Sequence, residues 1–128
     1  MISGMTKTTM LFIRKALEQC ARCPGFYGAV LSTPDGLVLV STGELSGDEP
    51  AACASGLIVD STKNIGIVAP GEVSEVLVWS ANRLWCVRVL ASGYILLLVS
   101  SDPEQSVAIR AVAAETDEML TQALRFLG

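Results

Sequence analysis

The stretch PGFYGAVLSTPDGLVLVST, residues 24–42, decides the fold. Two apolar runs, Phe26 to Thr33 and Leu37 to Thr42, flank Pro34-Asp35-Gly36. Proline presets φ for a turn, aspartate hydrogen-bonds its own backbone, and glycine takes the positive φ that closes it. The segment therefore reads as an antiparallel hairpin, and the rest of the chain is read outward from it.

Upstream, Met10, Ile13, Leu17 and Cys20 recur at steps of three and four. That spacing puts them on one stripe of a helix over residues 7–22, which Pro24-Gly25 ends. Downstream, Gly43 to Gly47 is a polar loop. A second helix opens near Asp48-Glu49-Pro50, with acidic residues and proline where a helix N-terminus favours them. It runs to about residue 68, before Pro70-Gly71. Three strands follow: Ser74 to Ser80, Leu84 to Leu90 and Tyr94 to Ser100, with turns at Asn82 and Ser92-Gly93. The last of them, YILLLVS, is apolar on both faces and needs a cover on each side. Asp102-Pro103-Glu104-Gln105 starts a third helix that runs to about Phe126, with Ile109, Val112, Thr116, Leu120, Ala123 and Leu127 on its apolar face. The order αββαβββα with short links predicts an α+β fold: a five-stranded antiparallel sheet with helices on both faces.

The chain has 128 residues, the size of one domain, with a core over about residues 7–126. Hydrophobic residues make up 51% and charged residues 17%, and the mean hydropathy is +0.50, a balance that excludes a disordered chain. The net charge of -4 argues against nucleic acid as a partner. The absence of histidine removes the commonest general base and metal ligand. No apolar run approaches the ~20 residues of a membrane span, and Met10 to Ile13 is too short for a signal-peptide core. The expected location is the cytoplasm, with the thiols reduced.

Candidate chemistry is sparse. Cys20-Ala21-Arg22-Cys23 is a C-x-x-C, but Cys53 and Cys86 do not form a second zinc half-site. The pair also lies at a predicted helix C-terminus, where the dipole disfavours thiolate. Gly25-Phe26-Tyr27-Gly28 leads into a strand and lacks the Lys-Ser/Thr of a phosphate loop. No G-x-S-x-G elbow is present, and Asp48-Glu49 and Asp117-Glu118 read as solvated helix faces. No catalytic, cofactor-binding or metal-binding residue is assigned, and the chain reads as a non-enzyme.

Three other features point to contact surfaces. The run Ala51-Ala52-Cys53-Ala54-Ser55-Gly56 lets another element approach the second helix closely, whether its own sheet or a second helix. Between Cys23 and Thr62 there is no Lys or Arg, while Asp35, Glu44, Asp48, Glu49 and Asp60 make that side acidic. Trp79 and Trp85, on neighbouring strands, read as a cross-strand aromatic pair.

The pattern resembles the Roadblock-type dynein light-chain family, whose bacterial and archaeal members regulate small Ras-like GTPases. The residues that carry the resemblance are Pro24-Gly25-x-x-Gly28-Ala29-Val30-Leu31, Asp35-Gly36-Leu37-Val38-Leu39, Glu49-Pro50-Ala51-Ala52, Leu84 to Leu90, Gly93 to Val99 and the Asp102-Pro103 helix start. The resemblance implies a profilin-like fold and a non-enzymatic homodimer. In it the second helix (Ala51 to Ala69) and third strand (Val73 to Ser80) meet their mates and join two sheets. The implied partner is a small Ras-like GTPase or a related signalling or motility protein. On this basis Ala51, Ala54, Ile58, Ile65, Val76 and Val78 are the expected dimer contacts, and Glu49, Ser55 and Asp60 the expected partner-facing positions. Two other readings stand beside it. One is a small-molecule sensor on a profilin- or PAS-like sheet, using Arg88, Tyr94 and Ser100. The other is thiol redox chemistry at Cys20 and Cys23.

Overall fold

A strand of six residues, Ile95–Ser100, is buried along its whole length, and the architecture is built around it. The computed structural model describes residues 7–125. In chain order the elements are α1 (Lys7–Glu18), a 3₁₀ turn (Gln19–Arg22), β1 (Phe26–Ser32), β2 (Val38–Gly43), α2 (Asp48–Gly66), β3 (Glu75–Ser80), β4 (Arg83–Val89), β5 (Ile95–Ser100) and α3 (Ser106–Leu124). The sheet order is β2-β1-β5-β4-β3, with every neighbouring pair antiparallel. This is the α+β order and five-stranded antiparallel sheet that the sequence predicts.

Because β5 is central and its side chains alternate between faces, the core falls into two layers. On one face α1 and α3 bury Ile13, Leu17, Ile109 and Leu120 against Leu31, Leu96 and Leu98. On the other, α2 packs Ala51 and Ala54 over Val30, Val87, Leu97 and Val99.

The first hairpin closes as its sequence requires. Gly36 has φ +91° and donates its N–H to the Thr33 carbonyl at 3.0 Å. Two other glycines are required by close approach. A Cβ on Gly25 would lie 2.7 Å from the Ser100 hydroxyl, and one on Gly28 would lie 2.7 Å from the Leu45 side chain. The Gly25-to-Gly28 spacing is thus a packing feature. It lets the chain leave α1 beside β5 and lets Leu45 seal the sheet.

The structure alters several boundaries. The first helix tightens into its 3₁₀ turn at Gln19, and α2 stops at Gly66 rather than near residue 68. The third helix starts at Ser106, one turn late, because Asp102 builds a lead-in turn of its own. Its carboxylate accepts the Glu104 N–H and the Gln105 side-chain amide, each at 3.0 Å. Of its predicted apolar face, Ile109, Thr116, Leu120 and Ala123 are buried and Val112 is half-buried. Leu127 and the expected end at Phe126 lie outside the described residues.

Trp79 and Trp85 do not form a pair. The two-residue turn Ala81-Asn82 makes Ser80 face Arg83, so Trp79 sits opposite Leu84 and Trp85 opposite Val78. An offset of one position sends the two indoles to opposite faces. Trp79 Nε1 donates to the Pro103 carbonyl at 2.8 Å, and Trp85 packs on the α2 side.

Ala54, 1% exposed, is buried between α2 and its own sheet. Ala54→Leu is therefore expected to lower the unfolding free energy by about 1–3 kcal/mol through overpacking, measured by urea denaturation followed by circular dichroism. An unchanged midpoint would mean that this approach is looser than the structure has it.

Candidate interaction surface

The apolar stripe of α2 is covered at one end and open at the other. Ala51 and Ala54 are buried and Ile58 is half-buried over the sheet, but Ile65, next on the same side, is 52% exposed. The stripe outruns the strands beneath it: Thr62 accepts the Val73 N–H at 3.2 Å just before β3, the last strand. Beyond Ile65, Ile67 and Val68 are also exposed, and Val59 protrudes from the helix flank. Isolated apolar side chains on a surface are ordinary, but a run that prolongs a core stripe is a candidate contact site.

The strand beside this stripe has an open edge. In the two-residue hairpin Ser80 and Arg83 close the ladder, so Ser80, Val78 and Val76 bond to β4. The Ser74 carbonyl accepts the Val89 N–H at 2.9 Å in the same phase. Glu75, Leu77 and Trp79 consequently point their backbone N–H and C=O groups outward from the sheet, a ready template for another strand. Val76 and Val78 face the α2 side and are half-buried. On the opposite face an ionic cluster holds β3 in place. Glu75 accepts from Arg88 at 2.9 Å and from Arg110 at 2.6 Å, and Arg88 also donates to Asp117 at 2.7 Å. The Asp117 and Glu75 carboxylates stabilise the Arg88 cation and raise its pKa further.

The predicted contact residues divide into two groups. Ile58 and Val76 pack on the α2-side core, Val78 lies on the same sheet face, and Ile65 continues the helix stripe into solvent. Ala51 and Ala54 face the chain's own core, so they are not surface contacts. The small residues on the outward side of α2 are Ala52 and Cys53, both exposed, and Gly56, where an added Cβ would meet nothing within 4 Å. Glu49 and Asp60 are exposed, as partner-facing positions must be. Ser55 is engaged within the fold, donating to the Pro34 carbonyl at 3.2 Å and tying the first hairpin to α2.

Arg88, Tyr94 and Ser100 do not converge on a pocket. Arg88 belongs to the ionic cluster, and Tyr94 packs against the α1–α3 core. Ser100 is buried, donates to the Pro24 carbonyl at 2.7 Å and accepts the Asp102 N–H at 3.0 Å. Sequence reasoning missed the Glu75–Arg88 bridge, although the register of the second hairpin places these two residues opposite each other.

The C-x-x-C thiols are core groups. Cys20 and Cys23 are buried, and Cys20 Sγ lies 3.4 Å from the Thr116 hydroxyl. Burial pushes the Cys20 thiol up to about 11 and raises that of Cys23. Burial, reinforced by the Glu75 carboxylate, pushes Cys86 up to about 12. Among the described residues no group of His, Cys, Asp or Glu could hold a metal ion, and no helix is long and apolar enough to cross a membrane.

A five-stranded antiparallel sheet between a helix pair and a single helix, open at β3 beside an uncovered helix stripe, is an α+β fold of the Roadblock type. The chain is similar to the Roadblock/LC7 domain from Streptomyces avermitilis, at 27% identity over 91% of this chain and 95% of that one, with a TM-score of 0.71. It is similar also to MglB of Myxococcus xanthus, at 14% identity, 97% and 96% coverage and a TM-score of 0.82. The gliding protein MglB from Thermus thermophilus matches at 16% identity, 94% coverage of each chain and a TM-score of 0.80. No protein-family model matches the chain, and no curated protein sequence matches it.

The thiol environments give a direct expectation. At pH 8, a maleimide or disulfide reagent should label about one thiol per native chain, at Cys53, and all four only after unfolding. Rapid native labelling of Cys20 or Cys23, mapped by peptide mass, would restore the redox reading.

Proposed function

We propose that this protein is a non-catalytic, homodimeric regulator that binds a small Ras-like GTPase or a related motility or signalling partner. The observation that carries the reading is the continuation of the α2 stripe, through the 52%-exposed Ile65, past a strand whose edge is open. Pairing two β3 strands would prolong the sheet and satisfy the outward groups of Glu75, Leu77 and Trp79. It would also bring a second α2 over the stripe and remove Ile65 and Val59 from water. Each fully buried side chain of this kind contributes about 1.5–3 kcal/mol. Paired second helices would then present Glu49 and Asp60 of both copies as an acidic platform. Such a platform steers association with a basic partner surface. The likeness to MglB, a gliding protein in Thermus thermophilus, supports a motility partner, and the Roadblock resemblance supports a GTPase.

Light scattering should give about twice the 13.5 kDa chain mass. The double substitution Val59→Glu with Ile65→Glu should return the monomer mass with the far-ultraviolet circular dichroism preserved, because both side chains are solvent-exposed within one chain. A double variant that stays dimeric would refute this face. For the partner, purified protein should co-elute with a Ras-like GTPase from the same cells loaded with a GTP analogue, and Glu49→Lys with Asp60→Lys should weaken this about tenfold or more. Recovery that ignores both nucleotide and charge reversal would refute the GTPase platform.

A further inference from the structure

We propose that β3 pairs with β3 of a second copy in one register, with Leu77 of both copies on the two-fold axis and Trp79 of each facing Glu75 of the other. This rests on the self-association proposed above and adds to it the alignment that selects a second copy of this chain. Residues 74–80 read Ser-Glu-Val-Leu-Val-Trp-Ser. About Leu77 the order is the same in both directions, Ser-x-Val-Leu-Val-x-Ser, with Glu75 and Trp79 the one unlike pair. Two identical antiparallel strands related by a two-fold axis match each residue before the axis with the residue equally far after it. The strand therefore meets its own copy like against like. A strand of unrelated sequence can use the same backbone edge but does not reproduce this mirrored order.

Backbone and side chains select the same register. Glu75, Leu77 and Trp79 carry the outward backbone groups, because Ser74, Val76, Val78 and Ser80 bond to β4. Centred on Leu77, every outward residue faces another outward residue, Leu77 against Leu77 and Glu75 against Trp79, and each such pair exchanges both its hydrogen bonds. A slip of two residues leaves an outward residue of each copy facing Val73 or Ala81, beyond the strand ends, and Ala81 is a turn residue with φ +38°. On the α2 side the centred register sets Val76 against Val78 and Ser74 against Ser80, whereas either slip sets a valine against a serine. On the opposite face it sets Trp79, 56% exposed and anchored by its bond to Pro103, against Glu75 of the second copy. That carboxylate is held by Arg88 and Arg110, so no acid meets an acid across the axis. The exposed Arg110 guanidinium gains an indole as its neighbour, which cation–π attraction favours.

The test is disulfide trapping of the full chain in a Cys53→Ser background, which removes the one exposed thiol. Single variants Val76→Cys, Leu77→Cys and Val78→Cys are oxidised with copper phenanthroline and resolved on non-reducing gels. In the centred register the two Cα atoms at position 77 lie about 5.5 Å apart, and position 76 of one copy lies about 4.5 Å from 78 of the other, both within disulfide reach. Position 76 against itself, or 78 against itself, is a diagonal of about 7–8 Å and out of reach. Leu77→Cys should therefore trap a covalent dimer, as should an equilibrated mixture of Val76→Cys with Val78→Cys, and either of those two alone should trap about tenfold less or lower. The mixed pair reads the register even where Leu77→Cys disturbs the fold. Trp79→Glu, which sets a carboxylate against Glu75, should weaken self-association about tenfold or more by sedimentation velocity, and Trp79→Phe should not. Trapping of Val76→Cys alone or Val78→Cys alone in place of the mixed pair would move the axis and overturn the proposal with the dimer intact. So would a dimeric chain that traps at none of these positions, or one indifferent to Trp79→Glu. A monomer mass by light scattering would overturn the self-association itself, and this register with it.

Discussion

Burial of β5 on both faces is the constraint from which the rest of the structure follows. Ile95, Leu96, Leu97, Leu98 and Val99 are all nearly inaccessible, so neither face of the sheet centre can be left to water. Strands β1 and β4 must flank β5, and helices must lie above and below. The small side chains of Ala51 and Ala54 let α2 come close enough to cover one face alone. The other face takes α1 and α3, whose larger residues fill a thicker layer.

This unequal covering creates the surfaces. A single helix crossing the sheet obliquely runs out past the last strand, and its apolar side emerges at Ile65. Two helices side by side leave a furrow where they part, and Phe12 and Met119 stand over it. The open edge of β3 lies nearest the first surface. The Glu75–Arg88–Asp117 cluster, with Arg110, keeps that edge in register with β4 and α3, so the outward backbone groups are held rigidly. A pre-formed edge loses less conformational entropy when a strand adds to it. The uncovered apolar surfaces are thus by-products of solving the core, placed where the covers end.

The hairpin at Pro34-Asp35-Gly36, the doubly apolar fifth strand and the element order were legible because each rests on local chemistry: a turn residue, a periodicity, a cap. The residues expected at a contact were legible in type, and the structure shows only which of them one chain leaves uncovered. Ile65 is exposed and Ile58, Val76 and Val78 are half-buried. Ala51 and Ala54 are buried, because a small residue permits close approach without naming what approaches, and here it is the sheet of the same chain. Ser55 looked free for the same reason, since its acceptor, Pro34, lies 21 positions away in sequence. The tryptophans were misplaced by a single step of register, which a two-residue turn settles and a residue count does not.

The sequence by itself determined which segments are helix and strand, that the sheet needs cover on both faces, and that the thiols at Cys20 and Cys23 lack a chemical setting. These follow from periodicity, turn chemistry and residue type, which act over a few positions. Only the tertiary structure decided which apolar residues remain uncovered. Exposure of Ile65 depends on where β3 ends, and exposure of Phe12 depends on how far α3 stands from α1. Both are distances between elements far apart along the chain, set by the volumes packed between them, and no local pattern encodes such a distance.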